Sequence, residues 1–134
     1  MAANNLLLDT GAFVALVDRS ERRHADCAAV LEDWRGGIVS TEAVLTETLH
    51  LVEPRWQAQK QNQEFLLRGA FVVVPASRTS LLRVSALMEK YSDVPMDYAD
   101  ATLVALGEEI ASDVVFTLDR RGFSTYQLGR TLAE

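Results

Sequence analysis

The feature that most constrains this chain is an apolar run that stops abruptly. Asn5-Leu6-Leu7-Leu8 ends on Asp9-Thr10-Gly11, and apolar residues resume at helical spacing with Phe13, Leu16 and Val17. An apolar strand without polar alternation belongs in a parallel sheet covered on both faces. The pattern recurs downstream. Phe71-Val72-Val73-Val74 is β-branched and closed by Pro75, and Val114-Val115-Phe116 runs out on Thr117-Leu118-Asp119. Ile38-Val39 makes a minimal strand and Tyr126-Gln127-Leu128 a last edge candidate. Helical patterns fill the gaps, over residues 11–17, 24–34, 42–52, 58–67, 78–91 and 97–110. Strands that alternate with helices pair in parallel through right-handed crossovers. The expected class is α/β.

With 134 residues and no repeat, linker or compositional break, the chain reads as one domain over residues 1–134. Ser40 or Thr41 is the N-cap candidate for the third helix, with Glu42 well placed in its first turn. Cys27, Val30, Leu31 and Trp34 share helical spacing, which makes Cys27 a packing residue. A lone cysteine forms no internal disulfide and fits a reducing cytoplasm. The Leu6–Leu8 run lacks the basic flank of a signal peptide, and no apolar run approaches the ~20 residues that span a bilayer. A soluble cytoplasmic protein with no membrane partner is expected.

Acids outnumber bases 19 to 13, for a net charge of −6. This excludes attachment to nucleic acid by bulk charge, which rests on Lys and Arg neutralising phosphates. It leaves room for a nuclease whose acids gather around metal ions. Five acids are placed to converge. Asp9 and Asp119 follow buried strands and project from one edge of the sheet. Asp97 and Asp100 sit three apart at a helix start, where the dipole favours negative charge. Glu47 interrupts an otherwise apolar helix and needs a partner if buried. One divalent cation would satisfy all of them, and an oxygen-only donor set points to Mg²⁺ or Mn²⁺ over Zn²⁺. Each acid also has a structural explanation: Asp9, Asp119 and Asp97 as caps, Asp100 as a third-position helix residue, Glu47 as a partner of Arg55 or Arg68. Neither a Walker loop, GxGxxG, HExxH nor a nucleophile elbow is present.

Taken in order, Leu7-Leu8-Asp9-Thr10, Ser40-Thr41 with Glu47 in the following helix, Met96-Asp97-Tyr98-Ala99-Asp100-Ala101-Thr102, and Phe116-Thr117-Leu118-Asp119-Arg120-Arg121-Gly122-Phe123 resemble the PIN-domain fold, particularly VapC-type toxins of toxin–antitoxin pairs. The resemblance covers nearly the whole chain. It implies an α/β/α sandwich around a central, mostly parallel five-stranded sheet, and a Mg²⁺- or Mn²⁺-dependent endoribonuclease acting on RNA. It also implies a cognate antitoxin and a homodimer. Carried over by residue, Asp9, Glu47, Asp100 and Asp119 match the family's acidic quartet, and Asp97 matches a frequent extra acid. Thr10 and Thr117 match hydroxyl positions that order water at the metal, and Arg120 and Arg121 could hold RNA phosphates.

Other readings of an acid-rich α/β chain fit less well. A response-regulator receiver needs paired acids after the first strand and a late lysine, but Asp9 stands alone and no lysine follows Lys90. A haloacid-dehalogenase-type phosphatase needs a second Asp where Gly11 stands. Within the family, the alternatives are a housekeeping RNA-processing nuclease and an inactive module that only binds a partner.

Overall fold

The computed structural model describes residues 5–52, 54–69, 71–94, 96–112 and 114–118, and the backbone of 130–132. Strands β1 (Asn5–Leu8), β2 (Gly37–Thr41), β3 (Phe71–Val74), β4 (Val114–Phe116) and β5 (Arg130–Leu132) form one sheet in the order β3-β2-β1-β4-β5, and every pairing is parallel. The expected edge strand at Tyr126–Leu128 falls outside the described residues, and the fifth strand is Arg130–Leu132 instead.

Helices α1 (Thr10–Val17), α2 (His24–Asp33), α3 (Glu42–Leu51), α4 (Trp56–Arg68), α5 (Arg78–Lys90) and α6 (Tyr98–Glu109) fill the crossovers. From β1 the chain steps outward to β2 and then β3, and it returns across β1 to reach β4. Right-handed crossovers put the outward and return connections on opposite faces of the sheet. The interior follows from the apolar runs: Leu6, Leu7, Leu8, Phe13, Val115 and Phe116 are fully buried. Phe13 stacks on Phe71 with ring centroids 5.9 Å apart, tying α1 to β3. Cys27 is buried in this core, as a packing residue should be.

Local chemistry explains where the elements begin and end. Of the two cap candidates before α3, Thr41 does the capping, with Oγ1 accepting the Val44 N–H at 3.2 Å. Ser40 Oγ instead donates to the Leu8 carbonyl at 2.8 Å and fastens β2 to β1. Helix α2 stops before Trp34, three residues short of Gly37, because the indole Nε1 donates to the Gly37 carbonyl at 2.9 Å and turns the chain into β2. His24 opens α2 and is half-buried. Its Nδ1 lies 2.7 Å from the Ala15 carbonyl and links α2 to α1. Helix α4 begins at Trp56, two residues before its amphipathic stretch, as soon as the chain has cleared Pro54.

Thr41 also shares a 2.8 Å hydrogen bond with Thr102 of α6, so one buried hydroxyl serves a cap and a helix–helix contact. Thr41→Ala should therefore cost roughly 1–2 kcal/mol of unfolding free energy. Thr41→Ser, which keeps the oxygen, should recover most of that loss in urea titrations; equal losses would place the effect in packing.

Candidate functional site

The strand order reverses between β1 and β4, and ligands of open parallel sheets bind at such a point, beyond the carboxyl ends of the strands. Asp9 occupies that position. Its N–H donates to the Phe116 carbonyl at 3.0 Å, so the β1–β4 pairing carries through to the last residue before the helix. Extended backbone there makes Asp9 the N-cap of α1, with Oδ1 accepting the Thr10 N–H at 2.8 Å. Its other oxygen, Oδ2, accepts the Thr117 hydroxyl at 2.6 Å from the end of β4. The carboxylate is almost fully buried and held on both sides.

Two further acids come from the start of α6. Asp97 is its N-cap, with Oδ1 accepting the Asp100 N–H at 2.8 Å. The structural explanation of that pair is therefore true as far as it goes: Asp97 caps and Asp100 is the third helical residue. It does not account for what surrounds Asp100. The carboxyl of Asp100 is pushed up to about 7, first by burial and then by the charges of Asp97, Asp9 and Glu47, against a backbone hydrogen bond at Asp97 that pulls it down. Three carboxyl groups, from the caps of α1 and α6 and from α3, thus act on Asp100. Glu47 is half-buried and lines a cleft with His50, Asp97 and Tyr98. Asp119, Arg120 and Arg121 lie outside the described residues.

The donor chemistry suits a hard divalent ion. Every candidate is an oxygen, and beside Asp9 the buried Thr10 Oγ1 has no hydrogen-bond partner among the described residues. Thr48 Oγ1, next to Glu47, is orphaned in the same way. Buried hydroxyls are normally satisfied, so each of these oxygens has an unused place for a polar partner. Among the described residues no three His, Cys, Asp or Glu side chains form a closed metal-holding group as they stand. Mg²⁺ does not require one, because it keeps several waters and takes only one or two carboxylates directly. The residues fit such an ion.

A second cleft of about 440 Å³ opens beside the acids, between the start of α3, the end of β3, the start of α5 and α6. It shares Ala43, Thr46 and Tyr98 with the cleft that holds Glu47 and Asp97. Sequence reasoning passed over Tyr98. The available signal was an aromatic ring set between two acids, Asp97-Tyr98-Ala99-Asp100, on the first turn of a helix where apolar burial gives it no reason to be.

An open parallel sheet with carboxylates gathered at its switch point defines the class: an acidic-site α/β protein. The chain belongs to the PIN-domain family, whose profile matches residues 6–127. It is 27% identical over 121 residues to Ribonuclease VapC26 of Mycobacterium tuberculosis, covering 89% of this chain and 90% of the relative. Its fold is similar to that of Mycobacterium tuberculosis VapC20, described as a sarcin–ricin loop cleaving toxin. The TM-score is 0.80 at 18% identity, covering 90% of this chain and 93% of the other. A toxin–antitoxin complex from Klebsiella pneumoniae contains a chain with TM-score 0.69 at 17% identity, covering 95% of each.

Proposed function

We propose that this chain is a metal-dependent endoribonuclease and the toxin of a toxin–antitoxin pair, working in the cytoplasm as a single-domain protein. The observation that carries the reading is the gathering of Asp97, Asp9 and Glu47 around Asp100, whose carboxyl is pushed up to about 7 by burial first and then by their charges. Acids so placed destabilise a protein unless a cation belongs among them. Membership of the PIN-domain family and likeness to a curated ribonuclease support RNA as the substrate. Likeness to a chain of a toxin–antitoxin complex supports an antitoxin partner, and a homodimer is the expected assembly.

In this reading Asp9, Glu47, Asp100 and Asp119 hold Mg²⁺ or Mn²⁺, with Asp97 completing the negative wall. When bound, the ion activates water for attack on phosphorus and offsets charge on the phosphate and the leaving oxygen. The chain's own residues supply the rest. Asp9 is held in orientation by the Thr10 N–H and the Thr117 hydroxyl, so it would meet the ion with little reorganisation. The Thr10 hydroxyl, buried beside it with no hydrogen-bond partner among the described residues, is assigned to positioning water. Without a cation the Asp100 carboxyl is pushed up to about 7, so near neutral pH it would yield its proton as a cation arrives. Arg120 and Arg121 are assigned to the RNA backbone.

Saturating Mg²⁺ or Mn²⁺ at neutral pH should raise the melting temperature, since about 100 Kd of ligand adds about 2.7 kcal/mol. EDTA should stop cleavage of a panel of structured and single-stranded RNAs. A midpoint indifferent to both ions, or cleavage that survives EDTA, would overturn the metal-dependent mechanism.

A further inference from the structure

The cleft beside the acids carries chemistry that metal binding does not use. Its lining contains Glu42 and Glu109, the hydroxyls of Thr46, Ser77 and Ser80, and the ring of Tyr98, and among the described residues it includes no Lys, Arg or His. Two carboxylates and no cation repel a phosphate, yet they attract N–H donors. Its volume of about 440 Å³ lies in the range of small-ligand pockets and accommodates one heterocycle. Tyr98 remains 42% exposed at the first position of α6, between this cleft and the one holding Glu47 and Asp97. A group stacked on that ring is therefore next door to the acids.

We propose that this cleft is a base-binding subsite: it takes one nucleobase adjacent to the cleaved bond, stacked on Tyr98 and bearing an exocyclic amine. The inference rests on the nuclease reading for its substrate class and adds the selectivity. Unpaired RNA bases are recognised by stacking on aromatic side chains and by hydrogen bonds to their edges. Adenine, cytosine and guanine offer an amine to a carboxylate, as cytosine N4 does to Glu in direct readout. Uracil presents carbonyls along most of that edge and gains least. One hydroxyl completes the match, since Thr46 Oγ1 already donates to the Glu42 carbonyl at 2.9 Å. Ser77 Oγ accepts the Ser80 N–H at 3.1 Å and keeps its own proton for a base carbonyl, whereas the Ser80 hydroxyl is spent on the Ser77 carbonyl at 3.0 Å.

The test reads binding and not turnover. Fluorescence anisotropy of labelled oligo(A), oligo(C) and oligo(U) is measured with Ca²⁺ replacing Mg²⁺, on the wild-type chain and on Tyr98→Ala, Tyr98→Phe and Glu42→Gln. Wild type should prefer oligo(A) and oligo(C) to oligo(U). Tyr98→Ala should weaken the first two roughly tenfold, within the range for removing one stacking ring, and Tyr98→Phe should match wild type. Glu42→Gln should narrow the gap to oligo(U). Unaltered affinities in Tyr98→Ala, or oligo(U) bound as tightly as oligo(C), overturn the subsite. So does a Tyr98→Ala protein that keeps its RNA affinity but changes sedimentation, which would make the cleft a contact between copies. A chain that shows these preferences and cuts no RNA upholds the subsite and overturns the nuclease reading. A chain that cuts RNA with Tyr98→Ala unaltered does the reverse.

Discussion

Asp9→Asn is expected to abolish RNA cleavage and leave the fold intact. Asparagine keeps an oxygen where Oδ1 accepts the Thr10 N–H at 2.8 Å, and Asn caps a helix as well as Asp does. At the other oxygen the bond reverses: the new amide donates, and the Thr117 hydroxyl that gave its proton at 2.6 Å accepts instead. What disappears is one negative charge at the switch point. That charge is among the causes that raise the Asp100 carboxyl, so without metal the variant should be as stable at neutral pH as the wild type, or slightly more so. With Mg²⁺ the order should invert, because the wild type gains more from the cation. Cleavage with Mg²⁺, with Mn²⁺ and with EDTA, read beside melting curves of both proteins, separates the roles. A structural cap would leave activity unchanged in Asp9→Asn. Equal activity in the two proteins would also expose a contaminating nuclease.

Asp9 was readable from sequence because two periodicities meet at it. Leu6, Leu7 and Leu8 demand a strand buried on both faces, the following residues demand a helix, and a carboxylate at that junction has one place to go. Phe71–Val74 was equally plain, since β-branched residues closed by proline leave little alternative. The α3 boundary was less so. Ser40 and Thr41 are both acceptable caps by type, and only the third dimension shows Ser40 turned back to the Leu8 carbonyl. The strand order could not be read at all from local pattern, although the order places Asp9 beside Thr117 and so creates the site. Glu47 shows the same limit. Its helix and its face could be guessed, but its electrostatic coupling to Asp100 depends on α3 meeting α6, elements far apart in the chain, as the Thr41–Thr102 hydrogen bond also does.

Replacing Asp100 with asparagine should flatten the pH dependence of stability. The folded protein holds the Asp100 proton up to about 7, whereas the ordinary value is 3.8. Below pH 3.8 the group is protonated folded and unfolded, and it contributes nothing. As pH rises from there toward 7, the unfolded chain releases the proton first, and the cost to the folded state accumulates. Above about 7 both states are ionised and the cost stays constant. Asp100→Asn should therefore gain on the wild type across that window and stop gaining beyond it. The partial exposure of Asp100 tempers the size of the gain and leaves its sign intact. A cation reverses the logic, because it favours the ionised form. Binding of Mg²⁺ to the wild type at pH 6 should release most of one proton and at pH 9 almost none, read by calorimetry in two buffers of different ionisation enthalpy. Asp97→Asn keeps an oxygen for the Asp100 N–H but removes the largest neighbouring charge, so its window should close at a lower pH. Parallel stability profiles for Asp100→Asn and wild type from pH 4 to 8 would mean that the carboxylates at the switch point do not feel one another, and the case for a cation among them would go with that.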